Sequence, residues 1–221
     1  MSDTKRILKS TLYLSTGQLI EIVTAIILMP FLILTLGAKH YGLWILINSI
    51  VGYLLILNMG LATAIERDLA KLTSSKLTDE YKCIFSSGLF SLIILSILSV
   101  IFVAFLSQIT HLFIEQSELR DITITILWIF GIKTALLLPT IAFQAILSSE
   151  LRHDLTVISE QVMIIVKFIL IIFIVGTTAD LVHLALIISF TELASRFLIV
   201  FFAINLKGID LLSYTPLYYQ S

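Results

Sequence analysis

Apolar residues run along this chain in six long blocks separated by short polar clusters: 11–36, 41–65, 83–107, 122–148, 157–176 and 182–206. Each block has at least 20 residues, and about 20 residues wound as a helix rise roughly 30 Å, the thickness of a bilayer's hydrocarbon core. The pattern predicts six membrane-crossing helices. Strands of a barrel would need segments of about ten residues with strict alternation, and no block shows it. The expected fold is all-α, a polytopic membrane bundle forming a single domain. The cleanest block, Tyr41 to Ile65, holds 25 residues without a formal charge. Lys39 and His40 precede it, and Glu66, Arg67 and Asp68 follow it. Its aromatic pair, Tyr41 and Trp44, falls at one end, where amphipathic rings favour the headgroup layer.

Composition agrees. With 58% apolar and 13% charged residues and a mean hydropathy of +1.06, the chain is too poor in charge to cover a soluble surface, which takes about 25%. A net charge of -1 without a basic stripe excludes a nucleic-acid binder. The single cysteine, Cys83, leaves no intrachain disulfide and no thiolate metal cluster. His111 and His153 stand alone without metal-ligand spacing. No Ser/His/Asp set, paired carboxylates or Gly-rich phosphate loop occurs, so no catalytic residue, metal site or cofactor is expected. Lys5, Arg6 and Lys9 make a basic start, but the apolar run after them continues past Pro30 to Leu36. That exceeds the core of a cleavable signal, about 7 to 15 residues, so the run is read as the first span.

The distribution of Lys and Arg orients the bundle. With a cytoplasmic N-terminus, Lys5, Arg6, Lys9, Arg67, Lys71, Lys76, Lys82, Arg152 and Lys207 share one side, and Lys39 and Arg120 the other. This asymmetry follows the positive-inside rule and puts both termini in the cytoplasm. The loop from Glu66 to Lys82, with Ser74-Ser75 in its middle, is expected to carry a short surface helix. Pro30 and Pro139 lie inside spans, where each removes one backbone donor and invites a kink.

Five ionisable residues fall where a span should have none: Glu21 in the first, Lys133 in the fourth, Lys167 in the fifth, and Glu192 with Arg196 in the sixth. Each costs roughly 2.5 to 3.5 kcal/mol at a helix centre, so together they cost roughly 12 to 17 kcal/mol on a lipid face. They are expected to face inward. Glu21, Lys133, Lys167 and Glu192 each lie about ten residues into their spans, roughly 15 Å deep at the helical rise. Helical period adds polar neighbours: Gln18 and Thr24 beside Glu21, Thr140 and Gln144 with Lys133, Glu160 with Lys167, and Ser189 with Glu192. A water-filled cavity among the first, fourth, fifth and sixth spans is the expectation, with Gln18, Thr140 and Gln144 as polar lining. Glu192 and Arg196, at i, i+4, could neutralise one another on one helix or belong to the site. Lys133, Lys167 and Arg196 against Glu21 and Glu192 leave a surplus of one positive charge, which favours an anionic group such as a phosphate or pyrophosphate.

Leu36-Gly37, Tyr41-Gly42-Leu43-Trp44, Asn58-Met59-Gly60-Leu61 and Arg67 together resemble the polysaccharide-export branch of the multidrug/oligosaccharidyl-lipid/polysaccharide exporter superfamily, which includes the O-antigen flippases. Phe143-Gln144-Ala145-Ile146-Leu147 followed by Leu151-Arg152-His153-Asp154 is similar to that family's pattern at the end of the fourth span. Asn58 departs from the acidic residue that family members often carry before the Gly-Leu.

The resemblance implies a flippase of the cytoplasmic (inner) membrane that moves an oligosaccharide carried on polyprenyl pyrophosphate, such as an O-antigen or capsular repeat unit, by alternating access. It implies Lys133, Lys167 and Arg196 as substrate-binding residues of a cationic cavity, and Glu21 and Glu192 as candidates for ion coupling. Members of the family have two six-helix lobes, so this chain is expected to make the N-terminal lobe, breaking off in the tail Ser213 to Ser221. A second lobe or a second copy of the chain would then complete the cavity, and membrane lipids and the lipid-linked oligosaccharide are the expected partners. The alternatives are a cation-coupled multidrug exporter of the same superfamily, a membrane glycosyltransferase or polymerase, and a non-functional truncated half.

Overall fold

In the computed structural model, the described backbone covers residues 3–56, 59–72, 79–112 and 114–207, and within it the side chains of 3–14, 54–56, 59 and 207 are left aside. Asn58, Ser74, Ser75, Lys76 and the tail from Ser213 to Ser221, all singled out above, lie outside the described residues, as do the side chains of Lys5, Arg6 and Lys9.

Among the described residues every regular element is a helix. Helix α1 spans Asp3–Ile56 and is broken at Gly37 into arms 3–36 and 38–56. It is followed by α2 (Met59–Lys71), α3 (Asp79–Ile109), α4 (Ser117–Ser149), α5 (His153–Leu170) and α6 (Leu181–Lys207). A π turn at Ile171–Val175 and a last turn at Gly176–Thr178 prolong α5. Five stretches are long and apolar enough to cross a membrane: Ser15–Tyr53, Asp79–Leu112, Ser117–Ser149, His153–Thr178 and Leu181–Leu206. The chain is an all-α, polytopic membrane protein.

The first of these stretches has 39 residues, about twice what a bilayer needs, and the chain divides it at Gly37. There φ is 79° and ψ 157°, a conformation that only glycine adopts without strain. Pro30, where a kink was expected, stays within continuous helix, and the break falls at Gly37 instead. The missing donor at Pro30 weakens one turn, whereas at Gly37 the backbone leaves helical φ/ψ and the helix kinks. Of residues 41–65, taken above as one block, 41–56 belong to α1 and 59–65 to α2, and 57 and 58 lie outside the described residues. The 59–65 portion carries Ile65 into the bundle, and α2 goes on to Leu69, also buried.

Helix α4 is the centre of the bundle: half of its apolar window is buried, against 17% for the first stretch and for α5. Around it the buried side chains form two apolar clusters. One joins both arms of α1 (Leu28, Leu32, Trp44, Ile47) to the end of α3, the start of α4 and the α5–α6 junction. Trp44 and Phe130 meet edge to face there, centroids 5.4 Å apart. The other joins α2 and the start of α3 to the ends of α4 and α6 and contains Phe85 against Phe143, centroids 5.2 Å apart. Small residues let the helices approach: a Cβ on Gly131 would stand 2.9 Å from both methyls of Val103, so α3 and α4 touch closely at that point. The outward faces stay apolar, with Leu34 85% and Phe173 71% exposed. That is what a lipid-facing surface requires and what a water-facing one would avoid.

Candidate functional site

Five ionisable residues and two buried hydroxyls, Thr191 and Ser195, meet at one place in this apolar bundle. A cavity of about 350 Å³ is lined by Glu21 from the first arm of α1, by Leu137, Leu138 and Ile141 from α4, by Glu160, Met163, Ile164 and Lys167 from α5, and by Thr191, Glu192, Ser195 and Arg196 from α6. Helical period explains the grouping. Glu160, Met163, Ile164 and Lys167 fall at steps of three and four on one face of α5. Glu192, Ser195 and Arg196 do the same on α6. The first arm of α1 runs alongside α5 in the same direction, since Gly17 meets Val157 and Gln161, and Phe31 meets Gly176. That packing brings Glu21 to the level of Glu160.

Four of the five ionisable residues expected to face inward therefore line one cavity: Glu21, Lys167, Glu192 and Arg196. Lys133 does not. It is buried on α4, with its ammonium 2.9 Å from Glu192 Oε2 and 4.3 Å from the centre of the Phe130 ring. Glu192 thus neutralises a lysine behind the cavity wall. Its i, i+4 neighbour Arg196 turns elsewhere, accepted by Gln144 Oε1 on α4 and standing 3.6 Å from Glu160 Oε1 on α5. Interhelical partners replace the intrahelical pair because α4 and α5 offer counter-groups that save each charge from facing lipid.

The charge balance changes with Glu160. Read from sequence, Glu160 was a polar companion of Lys167 near the start of its span and was left out of the count. Its neighbours on α5 place it on the cavity wall, so the six ionisable groups are Lys133, Lys167 and Arg196 against Glu21, Glu160 and Glu192, a formal total of zero. The expected surplus of one positive charge is absent. On the lining itself, Lys167 and Arg196 face three carboxylates. The discriminating feature is pairing: among the described residues Glu21 and Lys167 have no salt bridge, whereas Lys133, Glu192, Glu160 and Arg196 each have one.

The expected polar lining is rearranged as well. Gln144 serves the cavity indirectly by holding Arg196. Thr140 returns its hydroxyl to Leu137 O of its own helix at 2.6 Å, and Gln18 is exposed. None of the three is on the cavity wall. Sequence reasoning passed over Thr191 and Ser195. Ser195 is 5% exposed, and its Oγ has no hydrogen-bond partner among the described residues. The stripe Glu192, Ser195, Arg196 could have been read from steps of three and four, but short hydroxyls inside membrane helices are common and usually bond their own backbone, as Thr191 does to Ile187 O.

A second cavity, of about 420 Å³, opens between α2 and α3, lined mainly by Leu61, Ile65, Ile84 and Gly88 with Asp68 and Glu80 at its edge. Asp68 accepts from Lys71 at 2.8 Å and from Arg67 at 3.2 Å, which together hold its carboxyl below the usual carboxylate range. Its charge is already satisfied. Among the described residues no group of three or more His, Cys, Asp or Glu side chains has the spacing of a metal site.

Residues 7–210 match the family model described as polysaccharide biosynthesis protein, which covers nearly the whole chain. No curated protein and no solved structure matches it.

Proposed function

Because the chain belongs to the polysaccharide biosynthesis protein family, we propose that it is a transporter rather than an enzyme, a flippase that moves an oligosaccharide linked to polyprenyl pyrophosphate across the cytoplasmic membrane by alternating access. What carries this reading is the cavity set among four apolar helices, where Lys167 has no salt bridge among the described residues and Arg196 is held facing inward. A pyrophosphate entering a low-dielectric site needs cations already in position. Lys167 and Arg196 are the substrate-binding pair, and Lys133 acts at one remove by fixing Glu192. Glu21, the lining carboxylate with no salt bridge among the described residues, is the candidate for ion coupling. A second lobe or a second copy of the chain, related by the symmetry usual in transporters, closes the open side of the cavity. Both termini lie in the cytoplasm on this reading.

Reconstitution in vesicles with a fluorescent polyprenyl-pyrophosphate-linked oligosaccharide tests the proposal, with translocation followed by a membrane-impermeant quencher. The parent chain should translocate, and Lys167→Gln and Arg196→Gln should each slow it about tenfold or more. Equal rates for all three would sink the assignment of these residues.

One observation favours a second reading. Three carboxylates on the lining against two cations would also suit an organic cation, as in a cation-coupled multidrug exporter. Competition in the same vesicles separates the two: organic cations should leave translocation of the anionic lipid unchanged if the flippase reading holds.

A further inference from the structure

The two interhelical ion pairs of the site differ in kind. Lys133 and Glu192 are in hydrogen-bonding contact at 2.9 Å, and the lysine side chain is only 8% exposed. That pair is closed off from the cavity on its cationic side. Arg196 and Glu160 stand 3.6 Å apart, beyond a hydrogen bond, with both side chains partly open, 28% and 37% exposed. The guanidinium does not depend on Glu160 for its position, because Gln144 accepts from its other terminal nitrogen. Ser195, one residue before Arg196, lines the same cavity with a buried hydroxyl that no described residue uses. Lys167, two helical turns beyond Glu160 on the same face of α5, completes the set.

We propose that Glu160 is a displaceable counter-ion: it occupies Arg196 while the cavity is empty of substrate, and a phosphate or pyrophosphate group takes its place, bound by Arg196, Ser195 and Lys167. The inference rests on the flippase reading for the identity of the anion. Its physical logic is that a lone guanidinium in a low-dielectric cavity is costly, and a loosely held internal carboxylate meets that cost without the tight contact that would exclude the ligand. Gln144 keeps the guanidinium aimed during the exchange, and the carboxylate stays on a neighbouring helix, ready to return when the ligand leaves. Glu160 is thus a specificity residue: a neutral lipid cannot displace it, and an anionic one can.

The experiment measures binding of a polyprenyl pyrophosphate to the full chain in detergent, with neutral polyprenol and inorganic pyrophosphate as separate arms. Glu160→Gln should tighten the polyprenyl pyrophosphate about tenfold, because the ligand no longer breaks an ion pair. Arg196→Gln should weaken it about tenfold, and in that background Glu160→Gln should give no gain. Glu118→Gln removes an exposed carboxylate from the first turn of α4, off the cavity wall, and should change affinity less than about threefold. Polyprenol affinity should not respond to any of these changes. A response of inorganic pyrophosphate parallel to that of the lipid shows that the phosphate alone effects the exchange, and a response confined to the lipid shows that the chain is needed to deliver it. Either supports the exchange. A thermal melt accompanies each variant, and Glu160→Ala carries the same expectation should Glu160→Gln not fold. The counter-ion role is overturned if Glu160→Gln binds no tighter, if Glu118→Gln tightens as much, or if the gain persists without Arg196. Polyprenyl pyrophosphate that binds neither the parent nor Glu160→Gln overturns the flippase reading itself, and the exchange with it.

Discussion

Exchanging Glu192 for glutamine strips a buried lysine of its counter-ion, and the structure sets the size of the effect. Lys133 is 8% exposed in its side chain and Glu192 40%, so the two ends of the pair are not equivalent. Leaving a buried charge uncompensated costs about 3 to 5 kcal/mol. The Phe130 face 4.3 Å from the ammonium offsets about 0.5 to 1 kcal/mol of that, so Glu192→Gln should lose about 3 kcal/mol. Lys133→Met leaves behind a carboxylate that already faces the cavity, and should lose about 1 kcal/mol. The double variant, with an apolar residue in the buried position and no stranded charge, should also lose about 1 kcal/mol. The cycle then gives a coupling of about 3 kcal/mol. Reversible unfolding in mixed micelles with increasing sodium dodecyl sulfate, followed by tryptophan fluorescence, measures each corner. The same cycle run on Glu192→Gln and Arg196→Gln should be additive within about 0.5 kcal/mol, because those two groups do not pair. A stronger coupling between 192 and 196 than between 133 and 192 would refute the interhelical assignment and restore the i, i+4 pair.

Three further changes test the packing and the ends of the bundle. Gly131→Ala places a methyl 2.9 Å from both methyls of Val103 and should destabilise by about 1 to 3 kcal/mol, with most of the loss recovered in a Val103→Ala background, as the same micelle titration would register. Gly37→Ala puts a Cβ on a residue at φ 79° and should cost about 1 to 3 kcal/mol; equal stability would show that the break between the arms of α1 does not depend on that backbone conformation. Asp180, before α6, has its carboxyl pushed up by burial, but the Val182 N–H at 3.0 Å and the His183 side chain at 2.6 Å outweigh that and leave it below its ordinary value of 3.8. A depressed carboxylate stabilises above its unfolded value and loses that contribution as pH falls through the folded one, so the first turn of α6 should fray only below about pH 4. Amide exchange at 182–184 should therefore accelerate in Asp180→Asn at neutral pH and in the parent only in acid.

Much of the site was legible as a violation of the membrane rule. Glu21, Lys133, Lys167, Glu192 and Arg196 stand out because a charge in an apolar block is costly, and counting residues from the block ends places all but Arg196 at one depth. The partners were not legible. Glu192 and Arg196 are adjacent on one helical face, and nothing local distinguishes that pairing from one across helices. The choice depends on where α4 and α5 present Lys133, Gln144 and Glu160. Glu160 reads in sequence only as a polar companion of Lys167 on one face of its helix; its place on a cavity wall with Glu21 depends on how the first arm of α1 packs along α5.

The sequence by itself determined the class of protein. Long apolar runs cannot remain in water, and a backbone in lipid must satisfy its own hydrogen bonds, so an all-α membrane bundle followed from composition and block length alone. The family match over 7–210 agrees with a reading that local motifs had already supported. Only the tertiary structure decided which charges meet. An ion pair is a relation between two helices, set by their rotation and axial offset, and those are fixed by side-chain packing at contacts such as Gly131 on Val103 and Trp44 on Phe130. That packing turned an apparent surplus of positive charge into two neutralised pairs, with Lys167 and Glu21 in no salt bridge among the described residues.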